Sequence, residues 1–205
     1  MRNLLRNNGP RWAVHSLLGV AYVAALLLFP KLYLAIAGTA LVFASFAFEF
    51  ARLRVNRLQR WLNNRLSCFL RPEEGRIVTG ATYLLAGATV TVILFPRNIA
   101  ALAILYLAFG DPIAALVGKS MGKTKLWGRT LQGHLACLAS CVILAAMMIL
   151  LLHEPSLPAA ALGVVSATLF QALPWRINDN LTIPIGSASA MLATEAILRS
   201  SAVMN

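Results

Sequence analysis

The sequence predicts an all-α protein, a single integral-membrane domain over residues 1–205 that is built as a bundle of about seven spanning helices. Of the 205 residues, 59% are hydrophobic and only 12% are charged, and the mean hydropathy is +0.73. A soluble domain of this size cannot bury so much apolar surface, so the bilayer must act as its solvent. The apolar residues also fall into segments of about twenty, the length that a spanning helix needs.

Charges and prolines divide the chain into seven apolar segments, and each predicts one spanning helix. The predicted spans are 12–29, 32–50, 77–95, 99–117, 131–152, 157–173 and 183–198. The turns at Pro30, Pro96 and Pro155 are short, as expected between antiparallel helices. The first segment is longer than the apolar core of a signal peptide, so it is expected to be retained as a helix.

The distribution of basic residues predicts the orientation of the chain. If the spans alternate, fifteen of the 18 Lys and Arg residues lie on the side of the N-terminus, and Lys31, Arg97 and Arg199 lie on the other. The positive-inside rule therefore predicts a cytoplasmic N-terminus. The expected location is the cytoplasmic membrane of a bacterium or archaeon, or an ER or plastid membrane in a eukaryote, with the active site facing the cytoplasm.

The net charge of +11 is explained by this rule and by the attraction of basic residues to anionic headgroups of membrane lipids. Nucleic acid is not expected as a partner, because no motif of aromatic and basic residues accompanies the charge. No oligomeric state is predicted.

Residues 52–71, between the second and third spans, predict an amphipathic helix at the cytoplasmic interface. Arginines mix there with apolar residues spaced three and four apart, so one face of the helix is apolar. The arginines would face the headgroups and Trp61 would anchor the helix. The same periodicity also fits a cytoplasmic extension of the second helix.

Three of the seven acids, Glu49, Asp111 and Asp179, fall where cytoplasmic helix ends are predicted. Ionised groups near lipid are costly and usually face a cavity or a partner. We therefore expect one polar site at this face, with His15 at the same level. An ion pair with Arg52 or a nearby Arg is an equal alternative for Glu49, and packing is an equal alternative for His15.

The segment Gly110-Asp111-Pro112 predicts a break in the fourth span. Asp is a good N-cap and Pro is favoured at the first helical position. The helix is therefore expected to stop at Gly110, restart at Pro112 and end near Gly118. In a membrane protein, a broken helix is tolerated where it lines a cavity.

The loop that follows is predicted to bind a polyphosphate, because backbone N–H groups and cations both reach phosphate oxygens. The predicted nucleotide-binding residues are Gly110, Gly118, Lys119, Gly122, Lys123, Lys125, Gly128, Arg129 and Thr130. The loop is one residue short of a Walker A motif and follows a membrane helix. A basic cytoplasmic loop with turn glycines is the simpler alternative. Since Mg²⁺ binds phosphates together with one or two carboxylates, it is the expected cofactor, with Asp111 and Asp179 as its ligands.

Several motifs resemble the family of dolichol kinases, phytol kinases and CTP-dependent diacylglycerol kinases. The specific ones are residues 109–118 (FGDPIAALVG) and 179–184 (DNLTIP), and residues 11–15, 49–54, 79–84 and 128–131 agree with them. The resemblance runs from about His15 to the start of the last span. It implies a polytopic lipid kinase that transfers the γ-phosphate of CTP, less often ATP, to a lipid alcohol, and that is related to phosphatidate cytidylyltransferases.

The resemblance also implies catalytic roles for individual residues. Asp111 and Asp179 would hold Mg²⁺, and Asn180 would orient Asp179 or the general base. One of these two acids, or His15, would lie near the accepting hydroxyl. The substrate site would include His15 with Glu49 and Thr182, and helices one, two and seven would form the lipid groove.

The chain departs from the family pattern at four positions. Acids are common at the positions of Gln171 and Asn178, whereas Lys is usual at Arg129 and Ser at His134. Arg129 keeps the charge of a Lys but changes the donor geometry.

Two other functions fit the same residues. A cytidylyltransferase would use the same nucleotide and metal, but a lipid phosphate would attack the α-phosphorus. A small transporter or lipid-binding protein would also have a broken helix, although its polar groups should lie near the midplane. The acceptor of a kinase is left open among polyprenols, other isoprenoid alcohols and diacylglycerol.

Overall fold

The computed structural model describes residues 2–66, 74, 77–174 and 177–204. Their helices are α1 (Arg2–Leu28), α2 (Lys31–Arg54), α3 (Asn56–Leu66), α4 (Gly80–Leu94), α5 (Arg97–Leu105), α6 (Asp111–Met121), α7 (Leu131–Leu152), α8 (Leu157–Ala172) and α9 (Asp179–Met204). A π-helical turn, Tyr106–Gly110, joins α5 to α6. Strands β1 (Lys125–Leu126) and β2 (Arg129–Thr130) form a small antiparallel hairpin between α6 and α7. The predicted all-α class is confirmed.

The helices are those of a membrane protein. In the described part of the chain, five stretches are long and apolar enough to cross a bilayer: Gly9–Leu28, Lys31–Arg54, Arg97–Met121, Leu131–Leu152 and Asp179–Ala202. Two further apolar helices, α4 and α8, have 15 and 16 residues, fewer than the twenty or so of a typical span. The number of seven crossings therefore remains a prediction.

The predicted break in the fourth span is wrong. Asp111 has helical dihedral angles (φ −67°, ψ −47°), so it is not an N-cap, and the helix continues through Gly118 to Met121. The irregularity is instead the π turn just before Asp111. Pro112 has no N–H to offer the carbonyl of Ala108, four residues earlier, and that carbonyl accepts a hydrogen bond from Ser16 Oγ at 2.7 Å.

The turns at Pro30, Pro96 and Pro155 lie at one end of the molecule. Lys31 Nζ donates to the carbonyl of Phe95 at 2.8 Å, and Arg97 donates to the carbonyl of Phe29 at 2.9 Å. In the same region Asn98 donates to Glu154. Glu195, also at this end, accepts a hydrogen bond from the backbone N–H of Ser156 at 2.8 Å.

Helix α3 is a separate amphipathic helix. Val55 interrupts the helical path after α2 with extended dihedral angles (φ −103°, ψ 98°), so the alternative of one continuous helix is wrong. Leu62 is buried, whereas Trp61 and Arg60 are exposed. The helix runs from Asn56 to Leu66; of the predicted range 52–71, residues 52–54 belong to α2 and residues 67–71 lie outside the described part.

Candidate functional site

A cavity of about 690 Å³ lies at the end of the bundle opposite to the three proline turns. It is lined by α1, α4, α6, the β hairpin, α7 and the facing ends of α8 and α9. One part of its wall is apolar and includes Val14, Leu18, Leu84 and Ala115. The predicted site residues that line it are His15, Asp111, Gly118, Lys119, Gly128, Arg129, Thr130 and Asn180.

Two charged residues of the cavity lining, Asp111 and Arg129, form a cluster with Asp179, which does not itself line the cavity. Arg129 Nη1 lies 3.4 Å from Asp111 Oδ1, and its Nη2 donates to Asp179 Oδ2. The side chains of Asp111 and Asp179 are only 13% and 16% exposed, and that of Arg129 is 37% exposed. The structure thus brings together the two acids predicted as metal ligands, and it places between them a cation predicted to bind phosphate.

The charge of Arg129 is stabilised by the two acids. Burial is the largest single influence and lowers the pKa of the guanidinium, but the charges of Asp179 and Asp111 and the hydrogen bonds to them outweigh burial and raise it. Since the pKa of a guanidinium is already far above neutral and is raised further here, Arg129 stays charged at every pH at which the protein would be handled.

Local sequence explains how each of the three side chains is placed. Asp111 follows the π turn, which shifts the register of the helix by one residue. Arg129 follows a two-residue turn, Trp127-Gly128, in which both residues have positive φ (51° and 82°); this is the type I′ geometry of tight hairpins. Asp179 is the first residue of α9, which Asn178 caps by accepting a hydrogen bond from Asn180 N at 3.0 Å.

The glycines of the basic loop serve packing. A Cβ on Gly118 would lie 2.7 Å from Thr130 Oγ1, and one on Gly122 would lie 2.2 Å from the carbonyl of Gly118. A Cβ on Gly133 would lie 2.8 Å from the carbonyl of Ala114 and 3.1 Å from Thr130 Oγ1, which accepts the N–H of Gly133 and caps α7. These close approaches pack the hairpin against α6. Gly118 lines the cavity and Gly122 does not, and their role in binding phosphate stays a prediction.

Some predicted nucleotide-binding residues lie away from the cavity. Lys123 and Lys125 are exposed on the hairpin side, and Gln132 Oε1 accepts the backbone N–H of Lys123 at 3.1 Å. Gly110 is buried, and a Cβ there would lie 3.1 Å from Cys137 Sγ. Like Gly122, these residues do not line the cavity.

Glu49 does not reach the cavity and belongs to a separate buried network. Its Oε2 accepts from Arg52 Nε at 2.8 Å, and its Oε1 accepts from Thr79 Oγ1 at 2.6 Å. Arg52 also donates to the carbonyls of Glu74 and Ile77, at 2.9 and 2.7 Å. The alternative of an Arg pair is therefore confirmed for Glu49. Glu49 does not line the cavity, and its place in the substrate site stays a prediction.

The predicted lipid groove is only partly right. Thr182 is outside the cavity, and its Oγ1 is buried with no hydrogen-bond partner among the described residues. Helix α2 contributes no lining residue in the described part of the chain, whereas α1 contributes five and α9 contributes Asn180. Asn180 Nδ2 donates to the carbonyl of Gly80 at 2.7 Å, which ties α9 to the start of α4.

Two lining residues without a predicted role, His134 and Gln171, are paired with each other. His134 Nδ1 lies 2.9 Å from Gln171 Oε1, and its Nε2 lies 3.3 Å from the carbonyl of Leu126 in β1. The only sequence signal for this pair was that both positions depart from the family pattern. Trp12 was also missed as a cavity residue; the Lys119 ammonium lies 5.6 Å from its ring centroid.

The donor set fits Mg²⁺ held together with a nucleotide. Among the described residues, no three His, Cys, Asp or Glu side chains form a metal-binding group. Asp111 and Asp179 nevertheless bring two carboxylates from different helices to one guanidinium. Mg²⁺ that is bound through phosphates needs one or two carboxylates, so this pair is sufficient only if a polyphosphate supplies further ligands.

Comparison with known proteins identifies a relative whose activity is not known. No protein-family model matches the chain, and no solved structure matches it. The uncharacterized protein RP860 of Rickettsia prowazekii (strain Madrid E) is 27% identical over 172 residues, which cover 78% of this chain and 84% of the relative. The chain is therefore similar to a protein whose name states no function.

Proposed function

We propose that this protein is a lipid-alcohol kinase, which transfers the γ-phosphate of a nucleoside triphosphate to the hydroxyl of a membrane lipid. One observation carries the proposal: inside a membrane bundle, Asp111 and Asp179 converge on Arg129 at the edge of a cavity that also has an apolar wall. Such a cavity suits a substrate with a polar reacting group and an apolar tail. CTP as the donor, with ATP less favoured, follows from the resemblance of residues 109–118 and 179–184 to the CTP-dependent kinases.

Each part of the reaction has a candidate residue. In phosphoryl transfer, the alcohol oxygen forms a bond to the γ-phosphorus, the bond to the β–γ bridging oxygen breaks, and the nucleoside diphosphate leaves. His15, half-buried in the cavity wall, is the candidate base for the hydroxyl proton. Lys119 and Arg129, two of the cationic residues that line the cavity together with Arg11, would bind the phosphates.

Asp111 and Asp179 are the residues that would hold Mg²⁺, which supplies neutralisation of phosphate charge. In this arrangement the phosphate oxygens would replace the two carboxylates as partners of Arg129. Arg129 would thus hold the acids together before the nucleotide arrives and contact the phosphates afterwards.

Label transfer by the purified protein with Mg²⁺ tests the proposal. CTP and ATP, labelled at the α or the γ position, are offered with a panel of polyprenols, other isoprenoid alcohols, diacylglycerol and phosphatidate. We expect γ label in a lipid alcohol, loss of transfer in Asp111→Asn, and normal transfer in Glu154→Gln, a carboxylate at the opposite end. Transfer by Asp111→Asn at the parent rate would remove Asp111 from the metal site.

A lipid-binding protein without catalysis is the second candidate, and the ion pairs of Arg129 favour it. Two carboxylates that already share one guanidinium form a complete structural clamp that needs no ligand. In the same experiment this candidate predicts no label transfer and no nucleotide binding. If α label entered phosphatidate with release of pyrophosphate, the protein would instead be a cytidylyltransferase.

A further inference from the structure

The exposed residues around the cavity fall into two chemically different groups. Lys119 and Gly128 are exposed where α6 and the β hairpin end. Val14 and Leu18 on α1 are 37% and 43% exposed, and Ala81 on α4 is exposed as well. The exposed part of the cavity lining is therefore polar at the end of the bundle and apolar along α1 and α4, and we call these two parts the polar and the apolar opening.

The apolar opening lies between α1 and α4. Deeper in the bundle these helices are joined by the hydrogen bond between Tyr22 Oη and Thr89 Oγ1, at 2.8 Å. Toward the cavity, Leu18 on α1 and Leu84 on α4 both line open space. The two helices thus separate on the side of the cavity, and the gap between them is lined by apolar residues.

The position of the gap determines what meets it. Val14 and Leu18 lie within the membrane-spanning stretch Gly9–Leu28, and Leu18 is about 13 Å along the helix from Gly9 at 1.5 Å per residue. Next to Val14 and Leu18, Leu17 continues the apolar surface of α1 and is 68% exposed. At this depth the surroundings are hydrocarbon, so the molecule that meets the gap is a lipid chain.

We propose that the acceptor enters the cavity from within the bilayer, between α1 and α4, and that its tail stays in the membrane against Val14 and Leu18. The nucleotide enters through the polar opening at Lys119 and Gly128. This inference rests on the proposed kinase function, and it narrows the acceptor to alcohols anchored in the bilayer, as opposed to water-soluble alcohols.

A pair of tryptophan variants one residue apart on α1 tests this entry route. Leu18→Trp fills the gap, whereas Leu17→Trp adds the same bulk to the outer surface and does not line the cavity. For Leu18→Trp we expect the KM for the lipid alcohol to rise about tenfold with the KM for CTP unchanged. Leu17→Trp should keep both parent values. Equal acceptor KM values for the two variants would overturn lateral entry while leaving the kinase function intact.

A second measurement needs neither a substitution nor turnover. A long-chain alcohol with a photoactivatable group in its tail is bound to the unmodified protein in lipid nanodiscs, and the labelled peptides are identified. Labelling of residues 13–21 of α1, reduced by excess unlabelled alcohol, supports the lateral route. Labelling confined to α6 and the hairpin overturns it. A protein that transfers no phosphate but is labelled on α1 would disprove the kinase and keep the lipid entry, so the two proposals fail separately.

Discussion

At the scale of single residues, Arg129 is expected to stabilise the fold as well as serve the site. In Arg129→Ala, Asp111 and Asp179 face each other without their shared cation. Because Arg129 is 37% exposed, we expect a loss of about 1–3 kcal/mol in the free energy of unfolding, less than for a fully buried pair. Unfolding in mixed detergent micelles measures the loss, with Lys125→Ala, an exposed cation of the same hairpin, as control. Equal stability of the two variants would mean that the contacts of Arg129 contribute nothing to folding.

Unlike Arg129, Glu49 is expected to contribute to the stability of the fold and not to the site, because its partner Arg52 is fully buried. Arg52 is 1% exposed, and Glu49→Gln would leave its guanidinium without a counter-charge. We expect a loss of about 3–5 kcal/mol in the free energy of unfolding. The folded fraction should keep the parent KM for the lipid alcohol, since Glu49 lies outside the cavity.

Arg54→Gln is the matched control for Glu49→Gln. Arg54 is exposed on the same turn of α2, with its guanidinium 4.4 Å from the centroid of the Phe50 ring. Its loss should cost less than about 1 kcal/mol. A higher acceptor KM in folded Glu49→Gln would place Glu49 in the substrate site.

The residues of the candidate site show which of its features can be predicted from the sequence alone. Counting helix turns predicts that Asp111, Asp179 and His15 lie at the same depth in the bundle. That they face a polar site is expected because an ionised group near lipid is costly. Counting helix turns does not predict which side chain pairs with each acid. Whether a cation such as Arg129 binds a ligand or a carboxylate depends on a hairpin whose turn, Trp127-Gly128, has no strong sequence signature.

At the scale of helices, the contact between α4 and α9 fixes the start of α9 and therefore the position of Asp179. A Cβ on Gly87 would lie 2.0 Å from the carbonyl of Asn180 and 3.3 Å from Leu181 Cα. These are backbone atoms, so α9 itself would have to move. We expect Gly87→Ala to lower the free energy of unfolding by about 1–3 kcal/mol and to reduce phosphate transfer.

Gly9→Ala is the control variant for Gly87→Ala. A Cβ on Gly9 meets nothing within 4 Å, so the higher helix propensity of Ala should stabilise α1 by up to about 1 kcal/mol. Unfolding curves of both variants in the same detergent give the comparison. A stability of Gly87→Ala equal to the parent would mean that α4 and α9 can separate without cost.

The π turn shows why the predicted helix break was wrong. Gly110, Asp111 and Pro112 do carry the signals of a helix start, and in water such a segment would favour a break. In a membrane bundle an open break must be compensated by partners for its backbone groups. Ser16 supplies only one such partner, to Ala108, and a π turn leaves fewer backbone groups to be satisfied than a break does.

At the scale of the whole molecule, the class of fold follows from composition, but the number of crossings depends on the short helix α4. Its 15 residues span about 22 Å at 1.5 Å per residue, less than the hydrocarbon core of about 30 Å. Residues 77–79 precede it without helical structure. Two of their backbone groups have partners on α2, since Thr79 N donates to Glu49 and the carbonyl of Ile77 accepts from Arg52. Non-helical backbone is tolerated at membrane depth where the protein satisfies it in this way.

We therefore expect α4 to cross the bilayer, with residues 77–79 completing the crossing. The test uses single cysteines, in a chain whose own cysteines are replaced by Ala, and a membrane-impermeant thiol reagent added to sealed vesicles of known orientation. Arg60→Cys, exposed in α3 before α4, and Asn98→Cys, at the start of α5 after it, should react from opposite faces. Arg60→Cys should react from the cytoplasmic face, because most of the basic residues are predicted there. Reaction of both cysteines from the same face would mean that α4 turns back within the membrane, and that the chain crosses fewer than seven times.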